Sequence, residues 1–497
     1  MTAIDHQSAI EKAQLSELQP MLVGGQLKAA DGGDTLPALN PTTGSALTTF
    51  PVARKPDVDE AVAAARKALA EGPWWKDWGP HKRAKCLRKL AELCRDRSRE
   101  LSRIESLDVG MPRGFATKFS VAALVRNLEY YASWADKLYG STIPQTSTNS
   151  LDYTRLEPYG VIASIISWNT PLLFVGSKLG PALATGNAVI LKPSELACLG
   201  PLRVAELVQE AGIPDGIVQV LTGDGETGRL LVEHEGVDKV SFTGGRETAR
   251  KVQVAAAKCL KPVLFELGGK SPNIVFDDAD LGRATMMSTL GIFGLTGQAC
   301  AAGSRLLVHR SVHDQLLGGI AAFAQGLQVG DPMDPATMLG PLISGQHKDR
   351  VQSFIDNGEP QGASLHLKAE LRDGLADGTN FLGPHIFTGV APGMTLWDDE
   401  VFGPVLSVTP FDSDEEALRL ANQTQYGLAA GVWTEKLSRA HKMAAGLEAG
   451  VVWINNYGTL PNNVPFGGFK QSGWGKEGGR DALMEYTRVK NVLVDLS

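Results

Sequence analysis

The sequence predicts an α/β protein whose parallel β-sheets carry helices on both faces. From about residue 151 onward, short apolar runs alternate with segments of helical length such as 202–211. Four of these runs lie at 161–166, 188–191, 217–221 and 239–242. Apolar runs of strand length that are separated by helices are typical of parallel sheets buried on both sides. The length of 497 residues exceeds one ordinary core, so we expect two or more domains.

The flanking parts of the chain extend this pattern. Residues 56–140 are predicted to be helical, because apolar side chains recur there at helical spacing. Residues 361–380 are rich in Gly, Asp and Ala and are predicted to form a surface excursion. A second α/β series begins near residue 268, with predicted strands at 271–276, 304–308, 405–408 and 451–454.

The composition excludes several classes of function. The net charge is −7 and no basic stripe occurs, so nucleic acid is not an expected partner. The N-terminus is polar and no run approaches about 18 apolar residues, so we expect no signal peptide and no membrane partner. Five cysteines without a CxxC pair favour a reduced, cytoplasmic protein. The nine histidines show no metal-ligand spacing, so no catalytic metal is expected.

Polar residues follow the first four apolar runs, at the carboxyl ends where parallel sheets bind ligands. Asn169 follows the first run, Lys192 and Glu195 follow the second, and Thr243 follows the fourth. Plainer alternatives exist for each position. Asn169 also suits a turn, and Ser194 with Glu195 also suits an ordinary helix start.

Two glycine-containing turns are candidates for phosphate binding. The third run is followed by Gly223-x-Gly225-x-x-Gly228, which matches the dinucleotide fingerprint, although a plain glycine turn explains it nearly as well. Gly244 and Gly245 follow the fourth run and open a helix, whose first amides bind phosphate well. A simple strand-to-helix turn is the alternative there.

Cys300 is the candidate nucleophile. Its close neighbours are Gly and Ala except for Gln298, which leaves room for a second molecule to reach the sulfur. A small buried hydrophobe is the alternative for a free cysteine. Glu266 lies in an apolar run, where desolvation would raise its pKa and make it a usable base. The alternative for Glu266 is an ion pair with Lys270.

Seven short motifs occur in one order along the chain. They are Trp168-Asn169-x-Pro171, Lys192-Pro193-Ser194-Glu195, Phe242-Thr243-Gly244, Glu266-Leu267-Gly268-Gly269-Lys270, Gly297-Gln298-x-Cys300, Glu400-x-Phe402-Gly403-Pro404 and Pro465-Phe466-Gly467-Gly468-Phe469-Lys470-x-Ser472-Gly473. With this order and spacing, the chain resembles the NAD(P)-dependent aldehyde dehydrogenase superfamily from about residue 20 to its C-terminus.

The resemblance implies oxidation of an aldehyde to the carboxylic acid by the non-acylating, hydrolytic route. Cys300 would attack the aldehyde, and the Asn169 amide with the Cys300 backbone N–H would hold the oxyanion. Glu266 would activate the water that hydrolyses the thioester. Lys178 and Glu477 match positions that support proton movement in the family.

The resemblance also implies NAD as cofactor, with NADP less favoured because the Glu195 carboxylate would repel a 2′-phosphate. The family places the Gly223–Gly228 loop near the adenosine and the pyrophosphate by the helix opened at Gly245. A serine is usual where Gly245 stands. The implied cofactor contacts are Ile165, Ser167, Trp168, Lys192, Ser194, Glu195, Gly225, Phe242, Thr243, Gly244, Gly245, Leu267, Gly268, Glu400 and Phe402.

The family positions that shape the substrate tunnel are largely apolar in this chain. Ser177 stands where some relatives carry a bulky aromatic residue. We therefore expect a medium or large apolar aldehyde, either aromatic, terpenoid or long aliphatic. The tunnel positions are Thr170, Phe174, Ser177, Thr296, Ala301, Leu460 and Phe466.

Other activities remain as alternatives. A semialdehyde dehydrogenase for a small polar substrate is one, and a CoA-acylating relative is another. Glu266 argues against CoA acylation, because a base that activates water is needed only for hydrolysis. A non-catalytic homologue and a thiol esterase are further alternatives.

The resemblance divides the chain into parts. An NAD-binding domain in Rossmann-like form would comprise 19–139 and 161–267, after a polar tail over 1–18. An α/β catalytic domain would span 268–480. A small β oligomerisation arm formed by 140–160 and 481–497 would serve a homodimer or homotetramer.

Overall fold

The computed structural model describes residues 6–372, 375 and 380–497, and within these residues helices and strands alternate along most of the chain. The α-helices are α1 His6–Ala13, α2 Lys55–Glu71, α3 Pro73–Lys76, α4 Pro80–Asp96, α5 Ser98–Val109, α6 Arg113–Phe115, α7 Ala122–Ala132, α8 Pro171–Ala184, α9 Leu199–Ala205, α10 Gly225–Glu233, α11 Arg246–Lys258, α12 Leu281–Phe293, α13 His313–Gln325, α14 Gly345–Asp356, α15 Thr395–Asp398, α16 Asp414–Asn422, α17 Leu437–Gly446 and α18 Asp481–Glu485. A π-helical segment spans Ala116–Val121, and 3₁₀ turns span Gly294–Gly297, Arg310–Val312 and Glu359–Gln361.

The strands are β1 Met21–Val23, β2 Gln26–Lys28, β3 Thr35–Leu39, β4 Ala46–Pro51, β5 Thr142–Ile143, β6 Ser150–Pro158, β7 Val161–Ile165, β8 Ala188–Lys192, β9 Val218–Val220, β10 Lys239–Thr243, β11 Val263–Glu266, β12 Pro272–Val275, β13 Arg305–His309, β14 Ser364–Lys368, β15 His385–Thr388, β16 Val405–Phe411, β17 Tyr426–Gly427, β18 Ala429–Trp433, β19 Val451–Ile454, β20 Phe469–Lys470, β21 Gly473–Trp474 and β22 Thr487–Asp495.

The first sheet has the strand order β2-β1-β9-β8-β7-β10-β11-β21, as far as the described residues show. Its five central strands, β9, β8, β7, β10 and β11, are all parallel to one another. Their register places Ile165 beside both Lys192 and Phe242, and Thr243 beside Glu266. The carboxyl ends of four strands therefore meet at one edge, as the runs in the sequence predict.

The second sheet has the order β14-β15-β16-β13-β12-β18-β19 and is parallel except at β14, as far as it is described. Leu307 of β13 packs into one apolar core, whereas Leu306 and Val308 pack into another. Successive strand residues point to opposite faces, so this sheet is covered by helices on both sides. The prediction of α/β architecture is confirmed.

A three-stranded antiparallel sheet, β22-β6-β5, joins the residues before β7 to the end of the chain. Strand β22 pairs with β6 along its whole length, from Thr487 opposite Pro158 to Asp495 opposite Ser150. Two apolar side chains on this ribbon are largely exposed, Val489 at 68% and Leu493 at 63%. The described helices contain none that is long and apolar enough to cross a membrane.

Three details differ from the sequence-based expectations. The helix expected at 202–211 begins and ends earlier, at Leu199–Ala205, because the following residues form tight turns such as Leu207 N–H to the Val204 carbonyl. The excursion at 361–380 contains edge strand β14, and residues 373, 374 and 376–379 lie outside the described part. In the N-terminal tail, residues 6–13 form α1, and Ala9 and Ala13 are buried; residues 1–5 are not described.

Candidate active site

Two adjoining cavities lie along the carboxyl edge of the first sheet. The larger, of about 510 Å³, contains Lys192 and Glu195, and the other, of about 450 Å³, contains Cys300 and Glu266. Both are lined by the segments that follow β7 and β10. Every residue predicted to contact a cofactor lines one of these two cavities. The residues shared by both cavities are Ser167, Trp168, Thr243, Gly244, Gly245 and Thr248.

Cys300 lies just after a strained turn. Leu295, Thr296 and Gly297 all have positive φ, at 53°, 56° and 72°. Positive φ costs about 1–3 kcal/mol for a residue with a side chain, so the surroundings must impose this turn. At Gly297 a Cβ would lie 2.0 Å from the carbonyl oxygen of Gly403, which only glycine avoids. The turn is thereby held tightly against the segment that follows Glu400.

The Cys300 thiol and the Glu266 carboxyl affect each other's ionisation. Burial raises the pKa of Cys300 well above its ordinary value, and Glu266 raises it further. Burial also raises the pKa of Glu266 to about 8, with a second contribution from the Glu477 carboxylate. Within the described residues, Glu266 Oε1 has no hydrogen-bond partner. Glu266 is thus a desolvated carboxyl beside a thiol, with one oxygen available to a further molecule.

The alternative pairing of Glu266 with Lys270 is not formed. Lys270 is 1% exposed, and its Nζ has no hydrogen-bond partner among the described residues. Burial lowers the pKa of this amine to about 7. Glu266 therefore has no neutralising cation at Lys270, which agrees with its raised pKa.

Asn169 links the loop after β7 to the turn that carries Cys300. Its Nδ2 donates a hydrogen bond to the backbone carbonyl of Gln298, at 3.0 Å. Gln298 is in turn held by its Oε1, which accepts from the backbone N–H of Ile343 at 3.0 Å. An amide nitrogen has two N–H groups, so the second is left for an oxyanion in the cavity that Asn169 lines.

Lys178 and Glu477 form a buried ion pair behind Glu266. Lys178 Nζ also donates to Ser241 Oγ at 3.0 Å. On the tunnel side, the Ser177 hydroxyl lies 3.4 Å from Glu477 Oε2. The structure therefore brings both predicted proton-transfer residues together, and it adds Ser177 to their hydrogen-bonded group.

The segment after β8 is a loop rather than a helix start. Ser194 Oγ accepts from the Leu196 N–H at 3.3 Å, and helix α9 begins only at Leu199. Glu195 is 44% exposed and lies 3.6 Å from Lys192 Nζ, which is almost fully buried. The ordinary helix start proposed as an alternative is therefore wrong, and Lys192 holds Glu195 at the cavity wall.

The two glycine turns both begin helices at the cavity. Asp224 caps α10, accepting from the backbone N–H groups of Glu226 and Thr227. Gly245 is the N-cap residue of α11. A Cβ at Gly225 or Gly245 would meet nothing within 4 Å, so space for a ligand is open beside both helix starts. The N-terminus of α10 is capped by the Asp224 carboxylate, whereas α11 has no side-chain cap, so the first amides of α11 are the ones left for a phosphate.

Glu400 and Phe402 close the other end of the cavity that contains Cys300. Glu400 Oε1 accepts from the backbone N–H of Gly269 at 3.0 Å, and burial raises the pKa of Glu400 to about 7. A Cβ at Gly268 would lie 1.9 Å from Glu400 Oε2, so any larger residue would displace the Glu400 carboxylate. The Phe402 ring packs edge-on against Trp168, with centroids 5.2 Å apart.

Helix α14 supplies functional residues that the sequence motifs do not reveal. His347 Nε2 lies 2.8 Å from the Phe402 carbonyl, and burial lowers the pKa of His347 to about 4. Arg350 donates to the carbonyls of Val401 and Glu400, each at 2.7 Å. These bonds hold the backbone around Phe402, whose φ is +57°. Every residue has a backbone carbonyl, so the sequence does not show which carbonyls His347 and Arg350 contact. For this reason no motif predicted their role.

The predicted tunnel residues are placed less uniformly. Phe174 lines the cavity with Cys300, and Thr170 and Ser177 lie buried on the same helix start. Ala301 and Phe466 are half-buried nearby. Thr296 donates to the Gly340 carbonyl and lines a separate small cavity. Leu460 is 38% exposed and does not line the cavity. Of the predicted tunnel residues, all of which are described, Phe174 is thus the one that lines the cavity with Cys300.

Comparisons with known proteins agree with this geometry. The model of the aldehyde dehydrogenase family matches residues 28–492. DhaS of Bacillus subtilis (strain 168) is 41% identical over 483 residues, which cover 97% of each chain. The NAD⁺ complex of an aldehyde dehydrogenase from Bacillus cereus is 40% identical and superimposes with a TM-score of 0.95, covering 100% of this chain and 99% of that one.

A second solved structure is similar at lower identity. Betaine aldehyde dehydrogenase from Staphylococcus aureus, in complex with NAD⁺, is 35% identical with a TM-score of 0.95. The alignment covers 99% of this chain and 97% of that one.

Breaking the buried Lys178–Glu477 pair should destabilise the protein. Lys178→Met leaves a buried carboxylate without its cation, so we expect a loss of about 3 kcal/mol in the free energy of unfolding. The double variant Lys178→Met/Glu477→Leu should recover part of this loss, because both charges are removed. Urea denaturation of the unmodified protein, Lys178→Met, Glu477→Leu and the double variant measures the effect. Additive losses in the double variant would contradict the pairing.

Proposed function

Because the chain belongs to the aldehyde dehydrogenase family, we propose that it oxidises an aldehyde to its carboxylic acid with NAD through a thioester on Cys300. The observation that carries this proposal is the Cys300 thiol beside the desolvated Glu266 carboxyl, in a cavity that adjoins the one containing Lys192 and Glu195. Each step follows from the position of a described side chain.

The first step is attack by sulfur on the aldehyde carbon. The Cys300 thiol gives up its proton to a water molecule in the cavity, the thiolate forms a C–S bond with the aldehyde carbon, and the π electrons of the carbonyl move to its oxygen, which becomes an oxyanion. The free N–H of Asn169 and the Cys300 backbone N–H donate to that oxygen. The Asn169 bond to Gln298 keeps the amide and the thiol in fixed relation while charge develops.

NAD fits the residues that line the two cavities. Lys192 and Glu195 lie where an adenosine ribose needs a donor and an acceptor, and the amides opened at Gly245 face the space for the pyrophosphate. Glu400 and Phe402 would hold the nicotinamide ribose and ring beside Cys300. When bound, the nicotinamide supplies a hydride acceptor, which turns the thiohemiacetal into a thioester.

The last step is hydrolysis of the thioester. Ionised Glu266 takes a proton from water, the resulting hydroxide adds to the acyl carbon, and the C–S bond breaks to release the carboxylic acid and the thiolate. The proton then reaches the buried Lys178–Glu477 pair, whose hydrogen bonds extend to Ser177 and Ser241. Glu477 also raises the pKa of Glu266, which strengthens it as a base.

The three-stranded ribbon supports a further part of the proposal, a homodimer or homotetramer. Its exposed Val489 and Leu493 side chains would be buried by a second copy of the chain. The five free cysteines support a reduced, cytoplasmic setting. The substrate is a small molecule, and no nucleic-acid or membrane partner is proposed.

Replacing the nucleophile should separate chemistry from binding. Cys300→Ser should reduce aldehyde-dependent NADH formation to background, because a serine hydroxyl in this setting is a far weaker nucleophile, while NAD binding persists. NADH absorbance and calorimetric titration measure the two properties. Variants of Cys86, Cys94, Cys198 and Cys259 are the controls and should remain active. Full activity of Cys300→Ser would exclude the mechanism.

The steady-state rate should depend on the ionisation of Glu266 when hydrolysis limits turnover. The pKa of this carboxyl is raised to about 8, so the ionised base becomes more abundant as pH rises through that value. We expect the rate to rise between pH 7 and 9 and then level off. Glu266→Gln should remove this rise and slow hydrolysis by about 10²–10⁴-fold. A pH profile of kcat tests this; an unchanged profile in the variant contradicts it.

Glu195 should favour NAD over NADP. Its carboxylate is held at the cavity wall by Lys192, at short range from a 2′-phosphate, so repulsion weakens NADP binding. Initial rates with the two cofactors at equal concentration measure the preference, and Glu195→Ser should narrow it. Higher rates with NADP than with NAD in the unmodified protein would show that the carboxylate does not govern the choice.

The tunnel should accept medium or large apolar aldehydes. Phe174 lines the cavity that contains Cys300, and the buried Ser177, whose hydroxyl donates to the Phe174 carbonyl, is small, so no bulky side chain crowds this part of helix α8. We expect a higher kcat/KM for benzaldehyde or geranial than for acetaldehyde. Ser177→Phe should lower kcat/KM for the large aldehydes by about tenfold, through lost space. The hypothesis fails if acetaldehyde is the better substrate of the unmodified protein.

A further inference from the structure

Helix α5 carries two buried acids that the proposed chemistry does not use. Glu105 and Asp108 are 0% and 1% exposed. Their spacing of three residues places them on one face of the helix. Burying a carboxyl is costly unless it receives hydrogen bonds, so the groups that face each acid indicate its role.

Asp108 faces the start of helix α9. Its Oδ2 accepts from the backbone N–H of Leu199 at 2.9 Å, and the N–H of Gly200 also faces this carboxyl. The N-cap residue of α9, Cys198, makes no side-chain cap hydrogen bond. Asp108 therefore satisfies helix-start donors that normally receive a local cap.

Glu105 faces the start of helix α8, but its geometry differs from that of Asp108. Its Oε1 accepts from Ser120 Oγ at 2.6 Å, and its buried Oε2, which has no hydrogen-bond partner among the described residues, leaves an acceptor toward the backbone N–H of Leu172. The N-cap residue Thr170 makes no side-chain cap hydrogen bond, and Pro171 has no N–H. Leu172 is thus the first residue of α8 with a donor to satisfy.

Each of these two helix starts follows a segment of the proposed site: the loop with Asn169 precedes α8, and the loop with Glu195 precedes α9. Asn169 immediately precedes Thr170 and α8, whereas Glu195 lies four residues before the start of α9. The end of α5 packs on the same segments, because Val109 and Met111 share an apolar cluster with Trp168, Ala197 and Leu295. The end of α5 therefore contacts three segments: the loop that carries Asn169, the loop that carries Lys192 and Glu195, and the turn before Cys300.

We propose that Glu105 and Asp108 are positioning residues, with Glu105 setting the place of Asn169 and Asp108 setting the Lys192–Glu195 loop. The inference rests on the proposed function, in which those two segments serve sulfur chemistry and NAD binding. The two acids act on different segments, so their effects separate. A merely structural role would change both properties together.

The test uses Glu105→Met and Asp108→Leu, which keep much of the buried volume and remove the acceptors. The acylation rate with p-nitrophenyl acetate, measured without NAD, reports on Cys300 and Asn169. The Kd for NAD, measured by calorimetry, reports on the loop that carries Lys192 and Glu195. Glu105→Met should slow acylation about fivefold and leave the Kd nearly unchanged, and Asp108→Leu should raise the Kd about fivefold and leave acylation nearly unchanged.

Ser106→Ala on the same helix is the matched control, because the buried Ser106 hydroxyl bonds only within α5, to the Ser102 carbonyl. It should change neither property. If the apolar variants do not fold, Ser120→Ala and Asp108→Ser replace them, with the same directions expected. The proposal is overturned if either of the two tested variants changes the acylation rate and the Kd for NAD to the same extent. It is also overturned if either variant changes neither of them.

Failure of the proposed function would look different. Neither readout uses aldehyde oxidation, so the two shifts can appear even if no aldehyde in a panel yields NADH. That result would reject the aldehyde dehydrogenase reaction and keep the positioning roles. An active unmodified protein whose variants lack the two separate shifts would reject only the positioning roles.

Discussion

The contact between the Cys300 thiol and the Glu266 carboxyl is the constraint on which the rest of the site depends. Both groups are desolvated, and burial raises the pKa of each. Glu266 raises the pKa of Cys300 further, whereas the hydrogen bond from the thiol lowers the pKa of Glu266. Both interactions favour a protonated thiol beside an ionised carboxylate, so a change at one group alters the ionisation of the other.

The fold brings these groups together from two sheets. Glu266 ends β11 in the first sheet, whereas Cys300 lies before β13 in the second. Gly268, just after β11, lies against the Glu400 side chain, which precedes β16 of the second sheet, and this contact joins the two halves. Within the second half, Gly297 lies against the backbone of Gly403. A Cβ at Gly297 would clash with the Gly403 backbone and shift the turn that carries Cys300. The strained turn at Leu295 and Thr296 is stabilised by this packing.

Much of this arrangement could be predicted from the sequence, because the ligand-binding residues of a parallel sheet lie at the carboxyl ends of its strands. The apolar runs at 161–166 and 239–242 located that edge, and the motifs around Glu266 and Cys300 located a carboxyl and a thiol that the structure brings together in one cavity. The roles of His347 and Arg350 could not be predicted, since both act on backbone carbonyls. Thr296 was predicted to line the tunnel, but it has a positive φ and its side chain donates to the Gly340 carbonyl. The backbone conformation of a threonine cannot be read from its residue type, so the sequence could not predict this orientation.

The covalent intermediate is the most direct test of the account. Glu266→Gln should still form the thioester but hydrolyse it slowly, so mixing it with NAD and an aldehyde should produce one equivalent of NADH per active site. Mass spectrometry of the digested protein should then show the acyl group on the peptide that contains Cys300. Rapid repeated turnover of this variant without an acylated Cys300, or an acyl group on another residue, would contradict the account.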